Sequence, residues 1–239
     1  MTKLYVCEIS NLIEEVSKDM KSIEKYFDKL ETQRIEYILK SNIAEGRARA
    51  LGASYLLLFV LRKTGIILDK LPDFSYTEEG KPYLKEYSHV YFNLSHTRNI
   101  ITCVISDKEV GMDVEHVREF RENTIRRVFT KNEKLLIGEN KEELVRFWTM
   151  KEAYVKLLGT GIADIWEGIE ISKEETGFNI KKLNQDITKA NCCKIIAVGK
   201  LSDSKDYPYY YSVCAKTEHS VEVIYTKWDN HRIVEVKKL

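Results

Sequence analysis

The sequence lacks several features that mark specialised classes of protein. Its 239 residues include only three prolines, and its five cysteines form no C-x-x-C pair. An odd number of cysteines without paired spacing argues against a disulfide framework and favours buried free thiols in a reducing compartment. The N-terminus has no apolar segment typical of a secretory signal, and the longest apolar run, Tyr55 to Leu61, is far too short to span a bilayer. We therefore expect a cytoplasmic protein without a membrane segment.

An excess of charge of either sign is also missing. The chain has 38 Lys+Arg against 37 Asp+Glu, so the whole chain carries no signature of nucleic-acid binding, and any electrostatic recognition must come from a local patch. The chain is, in contrast, rich in apolar residues, and 44% of its residues are hydrophobic. That is enough to build a sizeable core in one large domain or two small ones.

The hydrophobic periodicity changes along the chain from strand to helix and back again. Strands are predicted at 3–9, 89–94, 99–106 and 110–114, helices at 22–41, 43–63, 121–137 and 140–158, and further strands in the last third. We interpret the middle three strands as neighbours joined by short turns at Ser95–Arg98 and Asp107–Glu109. The order of elements predicts an α+β fold, with a boundary near residues 106–112.

Two carboxylates occur close together in the segment Gly111–Glu115. Residues two apart on a strand point to the same face, so Asp113 and Glu115 would lie side by side while Met112 and Val114 face the core. Adjacent carboxylates repel each other unless a positive charge lies between them, and such oxygen ligands suit Mg²⁺. The spacing alone nevertheless favours the solvated face of an amphipathic strand over a metal site.

The segment Trp148–Lys156 places a Lys-Glu-Lys cluster on a predicted helix, formed by Lys151, Glu152 and Lys156. Glu152 and Lys156 are four residues apart and could form an ordinary surface ion pair worth about 0.3–0.5 kcal/mol. If the helix packs beside the carboxylate strand, however, Glu152 supplies a third metal ligand and the lysines supply two cations. That combination suits phosphoryl chemistry, where catalysis is mostly positioning and charge stabilisation.

Ser95 and His96 fall where a predicted strand ends, a position at which residues that contact ligands are common. Adjacent residues of an extended chain point apart, which argues against a Ser–His nucleophile pair. Shared binding of an anionic or polar ligand is the simpler role. Taken alone, the two residues would be interpreted as a turn serine and a solvated histidine.

Basic residues near the N-terminal half are further candidates. Lys81 lies in the Gly80-Lys81-Pro82 turn, where it can hold a phosphate, although a single lysine in a turn is ordinarily just exposed. Arg47 and Arg49 lie near the start of an apolar helix, and Arg34 lies upstream. Cations at a helix N-terminus oppose the helix dipole, which hints that they face an external anion.

The motifs occur in a characteristic order along the chain: G-K-P, F-N-L-S-H, G-M-D-V-E, F-T-K-N-E and W-T-M-K-E-A-Y-V-K. This order closely resembles the 4'-phosphopantetheinyl transferase superfamily, and within it the long, surfactin-synthetase-activating type. The combination of G-x-D-x-E with W-x-x-K-E-A-x-x-K is specific. The resemblance runs from about Arg34 to Ile162, and beyond residue 170 only a strand-rich tail is recognised.

The resemblance implies a particular architecture. The family fold has two similar α/β subdomains related by a pseudo-two-fold axis, each a small, mainly antiparallel sheet packed with helices. In this chain the halves would be residues 1–109 and 110–239, with the metal site on the second half and the active site in the cleft between them. The long type also implies a monomer.

Roles are implied residue by residue. The metal ligands would be Asp113, Glu115 and Glu152. The residues with roles in catalysis would be Glu152, Lys156, Lys151 and Glu133. The residues that contact coenzyme A would be Arg49, Lys81, Ser95, His96, Arg34 and Lys156. Two departures from the family pattern are Tyr37 and Ala50, which stand where some relatives have polar coenzyme A contacts.

The implied reaction transfers the phosphopantetheine arm of coenzyme A to a serine of an acyl or peptidyl carrier protein, with Mg²⁺, and releases adenosine 3',5'-bisphosphate. Glu152, Glu133 and a water at the metal all remain candidates to accept the serine proton. Carrier proteins resembling the family's partners are acidic, so the basic segment Arg118–Lys134 is a candidate docking surface, although it could equally be an ordinary solvated helix face. No nucleic-acid or membrane partner is expected.

Two other functions stay open from the residues alone. One is a different Mg²⁺-dependent phosphate or nucleotide enzyme that uses the same carboxylates and lysines. The other is a non-catalytic module that binds coenzyme A or a carrier protein. An intact set of three carboxylates argues against the second, because a simple binding protein has no need of a metal site.

Overall fold

The structure is a computed structural model, which describes residues 1–159, 168–175, 177–182, 194–201, 208–216 and 220–237. The helices are α1 (Ser10–Lys18), α2 (Thr32–Leu39), α3 (Ala44–Lys63), α4 (Glu122–Val128), α5 (Lys131–Ile137) and α6 (Lys141–Leu158), with 3-10 helices at Met20–Lys29 and Lys85–Tyr87. The strands are β1 (Thr2–Glu8), β2 (Ser75–Tyr76), β3 (Pro82–Tyr83), β4 (Tyr91–Thr97), β5 (Ile100–Ser106), β6 (Val110–His116), β7 (Ile169–Glu174), β8 (Gly177–Lys182), β9 (Lys194–Lys200), β10 (Tyr209–Ala215), β11 (Val221–Asp229) and β12 (Arg232–Val236). This mixture of helices and small, mainly antiparallel sheets confirms the predicted α+β class.

The largest sheet has five strands in the order β12-β11-β1-β5-β4, and only the β1–β11 pair is parallel. Its central strands are buried on both faces because each face meets a different layer. Tyr5 and Cys7 of β1 pack into a core with α1 and α3. Leu4 and Val6, which alternate with them, pack instead against residues of a second sheet. The five-stranded sheet therefore lies between a helical layer and another sheet.

The second sheet has three strands in the order β6-β10-β9. Met112 and Val114 of β6 share a core with β1 and β5, while α6 packs against the same sheet. The close approach of α6 to β6 depends on Gly111, because a Cβ there would lie 2.2 Å from the carbonyl oxygen of Ala153 and 2.3 Å from the amide nitrogen of Leu157. The glycine of the G-M-D-V-E motif thus lets the helix carrying Glu152 lie directly on the strand carrying the carboxylates.

The predicted pairing of the middle strands was wrong in two respects. The segment Val110–Val114 is not a neighbour of the two preceding strands in one sheet, because β6 pairs with β10 in the second sheet. The turn predicted at Ser95–Arg98 begins too early, since β4 continues to Thr97 and the chain reverses at Arg98 and Asn99, where Arg98 has a φ of 48°. Ser95 and His96 are therefore strand residues.

Two predicted helices are divided. Residues 22–41 form a 3-10 helix and α2, separated where Leu30 makes an extended bridge to Leu71. Residues 121–137 form α4 and α5, because the Thr130 side chain accepts a hydrogen bond from the Glu133 amide and caps a new helix. The helices predicted at 43–63 and 140–158 are confirmed as α3 and α6, and Gly159 ends α6 at a φ of 79°.

The last strands return to the first sheet. The predicted boundary at residue 109 falls between β5 and β6, where the chain passes from one sheet to the other, yet β11 and β12 complete the sheet that begins with β1. Chain segments from both ends therefore build the N-terminal sheet. The division into two halves stays a prediction.

The predictions about the cysteines and about membrane-spanning segments can be compared with the described residues. Cys7, Cys103 and Cys214 are buried free thiols, as expected, whereas Cys192 and Cys193 lie outside the described residues. None of the helices within the described ranges is both long and apolar enough to cross a bilayer.

Candidate active site

The candidate site lies where β4 and β6, strands of different sheets, run side by side. Alternate side chains of β4 reach across to β6, because residues two apart on a strand face the same way. The Asn93 side-chain oxygen accepts a hydrogen bond from the Met112 amide at 3.1 Å, and Ser95 Oγ accepts one from the Val114 amide at 3.4 Å. Thr97 is the next residue in this row. We call the row of Asn93, Ser95 and Thr97 the seam, since it joins the two sheets through side chains.

Asp113 is held at the seam by two donors. One of its carboxylate oxygens accepts hydrogen bonds from Ser95 Oγ at 2.7 Å and from Lys156 Nζ at 2.7 Å. Lys156 Nζ also donates to Ser95 Oγ at 2.9 Å, so the three groups form a closed triangle. Burial raises the pKa of the Asp113 carboxyl, and the charge of Lys156 offsets only part of that effect.

Glu115 has different partners from Asp113. Its Oε1 accepts hydrogen bonds from Thr97 Oγ1 at 2.5 Å and from the His116 amide at 2.9 Å, and Arg118 lies 3.3 Å from its Oε2. Burial favours the neutral acid, but these hydrogen bonds and the guanidinium charge outweigh it, so the pKa of Glu115 is lowered. Glu115 is therefore an anion over the whole neutral range.

Glu152 is the least satisfied of the three carboxylates. It lies on α6, is 6% exposed, and its Oε1 is buried without a hydrogen-bond partner among the described residues. Burial first, and then the negative charge of Asp113, raise the pKa of Glu152 to about 7, while Lys156 opposes the shift. A buried carboxylate oxygen without a partner is costly, which indicates that something positive or a proton belongs there.

Basic groups border the carboxylates on the β4 side. The exposed imidazole of His96 has a lowered pKa, caused first by burial of part of the ring and then by the charges of Arg49 and Lys156. Arg49 reaches across to β4, where its Nη1 donates to the Arg98 carbonyl oxygen at 3.2 Å. The structure thus places Ser95 and Lys156 in contact with Asp113, and Arg49 and Lys156 close enough to His96 to lower its pKa, while contact of these groups with coenzyme A stays a prediction.

Lys151 and Glu133 lie apart from this cluster and bind each other. Both side chains are 0% exposed and form an ion pair of 2.8 Å, and Lys151 Nζ also donates to the Val128 carbonyl oxygen at 2.6 Å. Glu133 Oε1 accepts a hydrogen bond from the Ile171 amide at 2.7 Å. The pair ties α5, α6 and β7 together, and the roles of Lys151 and Glu133 in catalysis stay predictions.

Two other candidates for coenzyme A contact also have internal partners. Lys81 Nζ donates to the carbonyl oxygens of Val110 at 3.0 Å and Leu157 at 3.1 Å, close to the C-terminal end of α6. Arg34 is 7% exposed, donates to Ser54 Oγ at 2.7 Å, and its guanidinium carbon lies 4.4 Å from the centre of the Phe74 ring. These contacts link neighbouring elements, so for Lys81 and Arg34 contact with coenzyme A stays a prediction.

Asn93, Thr97 and His116 were not predicted as site residues, and Arg118 was predicted only as part of the docking segment. The signal for the first two was present, because Asn93, Ser95 and Thr97 are polar residues at alternate positions of one strand. Placing a turn at Ser95 hid this pattern. The roles of His116 and Arg118 could not be found from spacing, since they depend on the local course of the chain after β6.

The comparisons with known proteins point to one family. Residues 109–211 match the family model of the 4'-phosphopantetheinyl transferase superfamily. The 4'-phosphopantetheinyl transferase HetI of a Nostoc species is 37% identical over 114 residues, which cover 43% of this chain and 48% of the relative. The enzyme gsp of Aneurinibacillus migulanus is 28% identical over 150 residues, covering 55% of this chain and 62% of the relative.

A third relative, the 4'-phosphopantetheinyl transferase Sfp of Bacillus subtilis, is 30% identical over 95 residues, covering 38% of this chain and 42% of the relative. The chain thus aligns with roughly half the length of these curated relatives, from 42% to 62%. The matched region contains Asp113, Glu115, Glu133, Glu152 and Lys156. The resemblance seen in the motifs is therefore confirmed by similarity: residues 109–211 match the model of the 4'-phosphopantetheinyl transferase superfamily, and curated enzymes of that name align with part of this chain.

Proposed function

We propose that the protein transfers the 4'-phosphopantetheine arm of coenzyme A to a serine of an acyl or peptidyl carrier protein. The observation that carries this proposal is the unpaired, buried Oε1 of Glu152, which lies with Asp113 and Lys156 at the seam between the two sheets. Such a cluster fits a reaction in which negative phosphate groups must be bound and polarised. The names of the relatives support the same reaction class.

The three carboxylates are the proposed ligands of Mg²⁺. Within the described residues no group of three or more His, Cys, Asp or Glu side chains is arranged as a metal site, since Asp113 faces Lys156 and Glu115 faces Thr97. The donor set still fits the ion, because all three side chains offer hard oxygen atoms and Glu152 has an oxygen to spare. A bound Mg²⁺ would offset the repulsion between the carboxylates and polarise a phosphate oxygen.

In the proposed reaction, the hydroxyl oxygen of the carrier serine attacks the β-phosphorus of coenzyme A. A new phosphorus–oxygen bond forms, the bond to the adenosine 3',5'-bisphosphate leaving group breaks, and the serine proton passes to a base. Glu133 is engaged in the buried pair with Lys151, which leaves Glu152 or a water molecule as the acceptor. Without a bound metal, burial and the charge of Asp113 raise the pKa of Glu152 to about 7, so its carboxylate then takes up a proton more readily than an ordinary glutamate.

The proposed roles of the basic groups follow from their positions. Lys156, 2.7 Å from Asp113, would neutralise charge that develops on the phosphate groups. Arg49 and His96 border the same cluster and would bind the phosphates at the nucleotide end. Ser95 would orient Asp113 and Lys156 through its two hydrogen bonds.

The proposal is tested by mass spectrometry of an apo carrier protein incubated with the enzyme, coenzyme A and Mg²⁺. We expect the carrier to gain the mass of one phosphopantetheine arm and adenosine 3',5'-bisphosphate to appear in equal amount. Asp113→Ala should abolish labelling while the protein remains folded. Labelling at the normal rate by the folded Asp113→Ala enzyme would refute the assignment of the metal ligands.

The absence of labelling by the wild-type enzyme with a panel of carriers would favour one of the other two functions. Coenzyme A that binds without being cleaved would indicate a binding module. Hydrolysis of another phosphate compound that depends on Mg²⁺ and Asp113 would indicate a different phosphate enzyme.

The segment Arg118–Lys134 is the proposed docking surface for the carrier. Its basic side chains continue into α5, where Leu135 is 82% exposed and Leu136 is 50% exposed. Apolar side chains beside cations suit a partner helix that is acidic and amphipathic. Arg126 is exposed and pairs with its helix neighbour Glu122, so its charge remains near the surface.

Reversing the charges of Arg126 and Arg127 to Glu should raise the KM for carrier protein by roughly ten-fold or more at low salt, because like charges would then repel. The effect should shrink at high salt, and kcat at saturating carrier should change little. The matched control is Lys18→Glu together with Lys21→Glu, which reverses two exposed charges of the N-terminal helices. An unchanged KM at low salt would exclude this docking surface.

A further inference from the structure

A separate cavity of about 570 Å³ lies between the 3-10 helix Met20–Lys29, α3 and the hairpin that joins β11 to β12. None of its lining residues belongs to the carboxylate cluster, the seam or the segment Arg118–Lys134. Its volume falls within the range of small-molecule sites. Apolar and aromatic walls are provided by Tyr55, Leu58, Phe59 and Ile233.

A chain of hydrogen-bonded side chains forms one side of this cavity. The Tyr26 hydroxyl donates to the Glu15 carboxylate at 3.1 Å and lies 2.5 Å from His231 Nδ1. The Tyr26 ring is buried and packs edge-on against Tyr55 and Trp228, at centroid distances of 5.6 Å and 5.4 Å. The contact with Tyr26 involves Nδ1 of the imidazole, and within the described residues Nε2 of His231 makes no hydrogen bond.

His231 reaches this position through an uncommon backbone. Asn230 and His231 form the turn between β11 and β12 with φ angles of 45° and 64°, in the left-handed region that most residues avoid. Asn and His tolerate this region better than other non-glycine residues, but it still carries a cost. The turn places the imidazole over the Tyr26 ring, 5.7 Å between centroids.

The charges around the cavity are mostly positive. The charged lining residues are Lys25, Lys29, Arg62, Arg232 and Asp28. Lys25 and Lys29 each have a carboxylate partner, Glu15 at 3.0 Å and Asp28 at 3.3 Å. Arg62 and Arg232 have no ion-pair partner within the described part of the chain.

The side chains of Arg62 and Arg232 are therefore available for an anion. Arg62 has one internal hydrogen bond, from Nη2 to the Leu68 carbonyl oxygen at 2.9 Å, which fixes its side chain beside Tyr55 without neutralising its charge. Arg232 is exposed at the start of β12. Guanidinium groups suit carboxylates and phosphates because they can donate two parallel hydrogen bonds.

We propose that this cavity is a second ligand site, which binds a small aromatic anion. The anionic group, a carboxylate or a phosphate ester, is bound by Arg62 and Arg232, beside His231. The ring packs against Tyr55 and Phe59. The site does not depend on the proposed transferase activity, because the two sets of residues do not overlap.

The test measures binding of phenyl phosphate and benzoate to the full-length protein by isothermal calorimetry, with coenzyme A present to fill any other phosphate site. We expect at least one of the two probes to bind. Phenyl phosphate, if it is the one that binds, should bind more tightly than inorganic phosphate. Benzoate, if it is the one that binds, should bind more tightly than its neutral analogue benzamide. Arg232→Gln should weaken binding of the probe roughly ten-fold, because it removes one charge-assisted hydrogen bond to the anion. The stronger of the two probes identifies the anionic group.

The matched control is Lys21→Gln, which removes one exposed positive charge from the same 3-10 helix without altering the cavity lining. Binding should be unchanged in this variant, and labelling of a carrier protein should be unchanged in both variants. The proposal would be overturned if neither probe bound at millimolar concentration. It would also be overturned if benzoate bound no better than benzamide and phenyl phosphate no better than phosphate. An equal loss of probe affinity in the Arg232→Gln and Lys21→Gln variants would overturn it as well. None of these outcomes would bear on the transferase assignment.

Discussion

Glu152→Gln is expected to lower the rate of carrier labelling by roughly 100-fold or more, because the amide can neither bind Mg²⁺ as an anion nor accept a proton. The substitution keeps the size of a side chain that is 6% exposed, so the protein should fold. The measurement is the initial rate of carrier labelling with saturating coenzyme A. Glu24→Gln, at an exposed position of the 3-10 helix, is the matched control and should be fully active.

The same variant should change how stability depends on pH in metal-free buffer. The pKa of Glu152 rises in the folded state from its ordinary 4.5 to about 7, so the folded protein holds this proton more tightly than the unfolded chain does. Stability of the wild type should therefore fall as pH rises from about 4.5 to about 7, by on the order of 3 kcal/mol from this group. Glu152→Gln should lack that part of the decline. A wild-type activity level in the variant, or identical stability profiles, would contradict the role given to Glu152.

Gly111→Ala is expected to destabilise the protein by about 3 kcal/mol or more. The added Cβ would meet backbone atoms of α6 at 2.2 Å and 2.3 Å, and a backbone cannot rotate away as a side chain can. The helix would have to move off β6, which would also carry Glu152 and Lys156 away from Asp113. Equilibrium unfolding in urea measures the first effect, and carrier labelling by the residual folded protein measures the second.

Gly46→Ala is a suitable control for that experiment. A Cβ at Gly46 would lie 2.2 Å from Ser41 Oγ and 3.1 Å from Ser41 Cβ, both atoms of one side chain in the loop before α3, and the hydroxyl can turn away. The same substitution in a helix also lowers the entropy of the unfolded chain. We expect this variant to unfold within about 1 kcal/mol of the wild type. An equally small change for Gly111→Ala would show that α6 does not need the close approach.

Much of the fold follows from periodicity, but the partner of each strand does not. Alternation correctly marked β1 and β4, a run of β-branched residues marked β5, and helical periodicity marked α3 and α6. It could not reveal that β6 leaves the preceding strands, because alternation says which side chains share a face and not which strand lies alongside. Pairing of β6 with β10 depends on residues about 100 positions further along the chain.

For the charged residues of the site too, residue type and spacing predict position but not the partner of each side chain. Asp113, Glu115, Glu152 and Lys156 were placed correctly on one strand and one helix, and the structure brings Asp113, Glu152 and Lys156 together. Residue type did not indicate that Lys151 and Glu133 bind each other in the interior. A hint was available, since Thr130 and Glu133 have the spacing of a helix capping box, which predicts a structural task for the glutamate.

The parallel pairing of β1 with β11 has a consequence for biosynthesis. The strand that covers one edge of residues 2–8 is formed by residues 221–227, which are made more than two hundred residues later. Until then the nascent chain exposes an apolar strand edge that can pair with other chains. Premature termination before β11 should therefore yield aggregation-prone fragments, and rapid completion of translation or binding of a chaperone should raise the yield of folded protein.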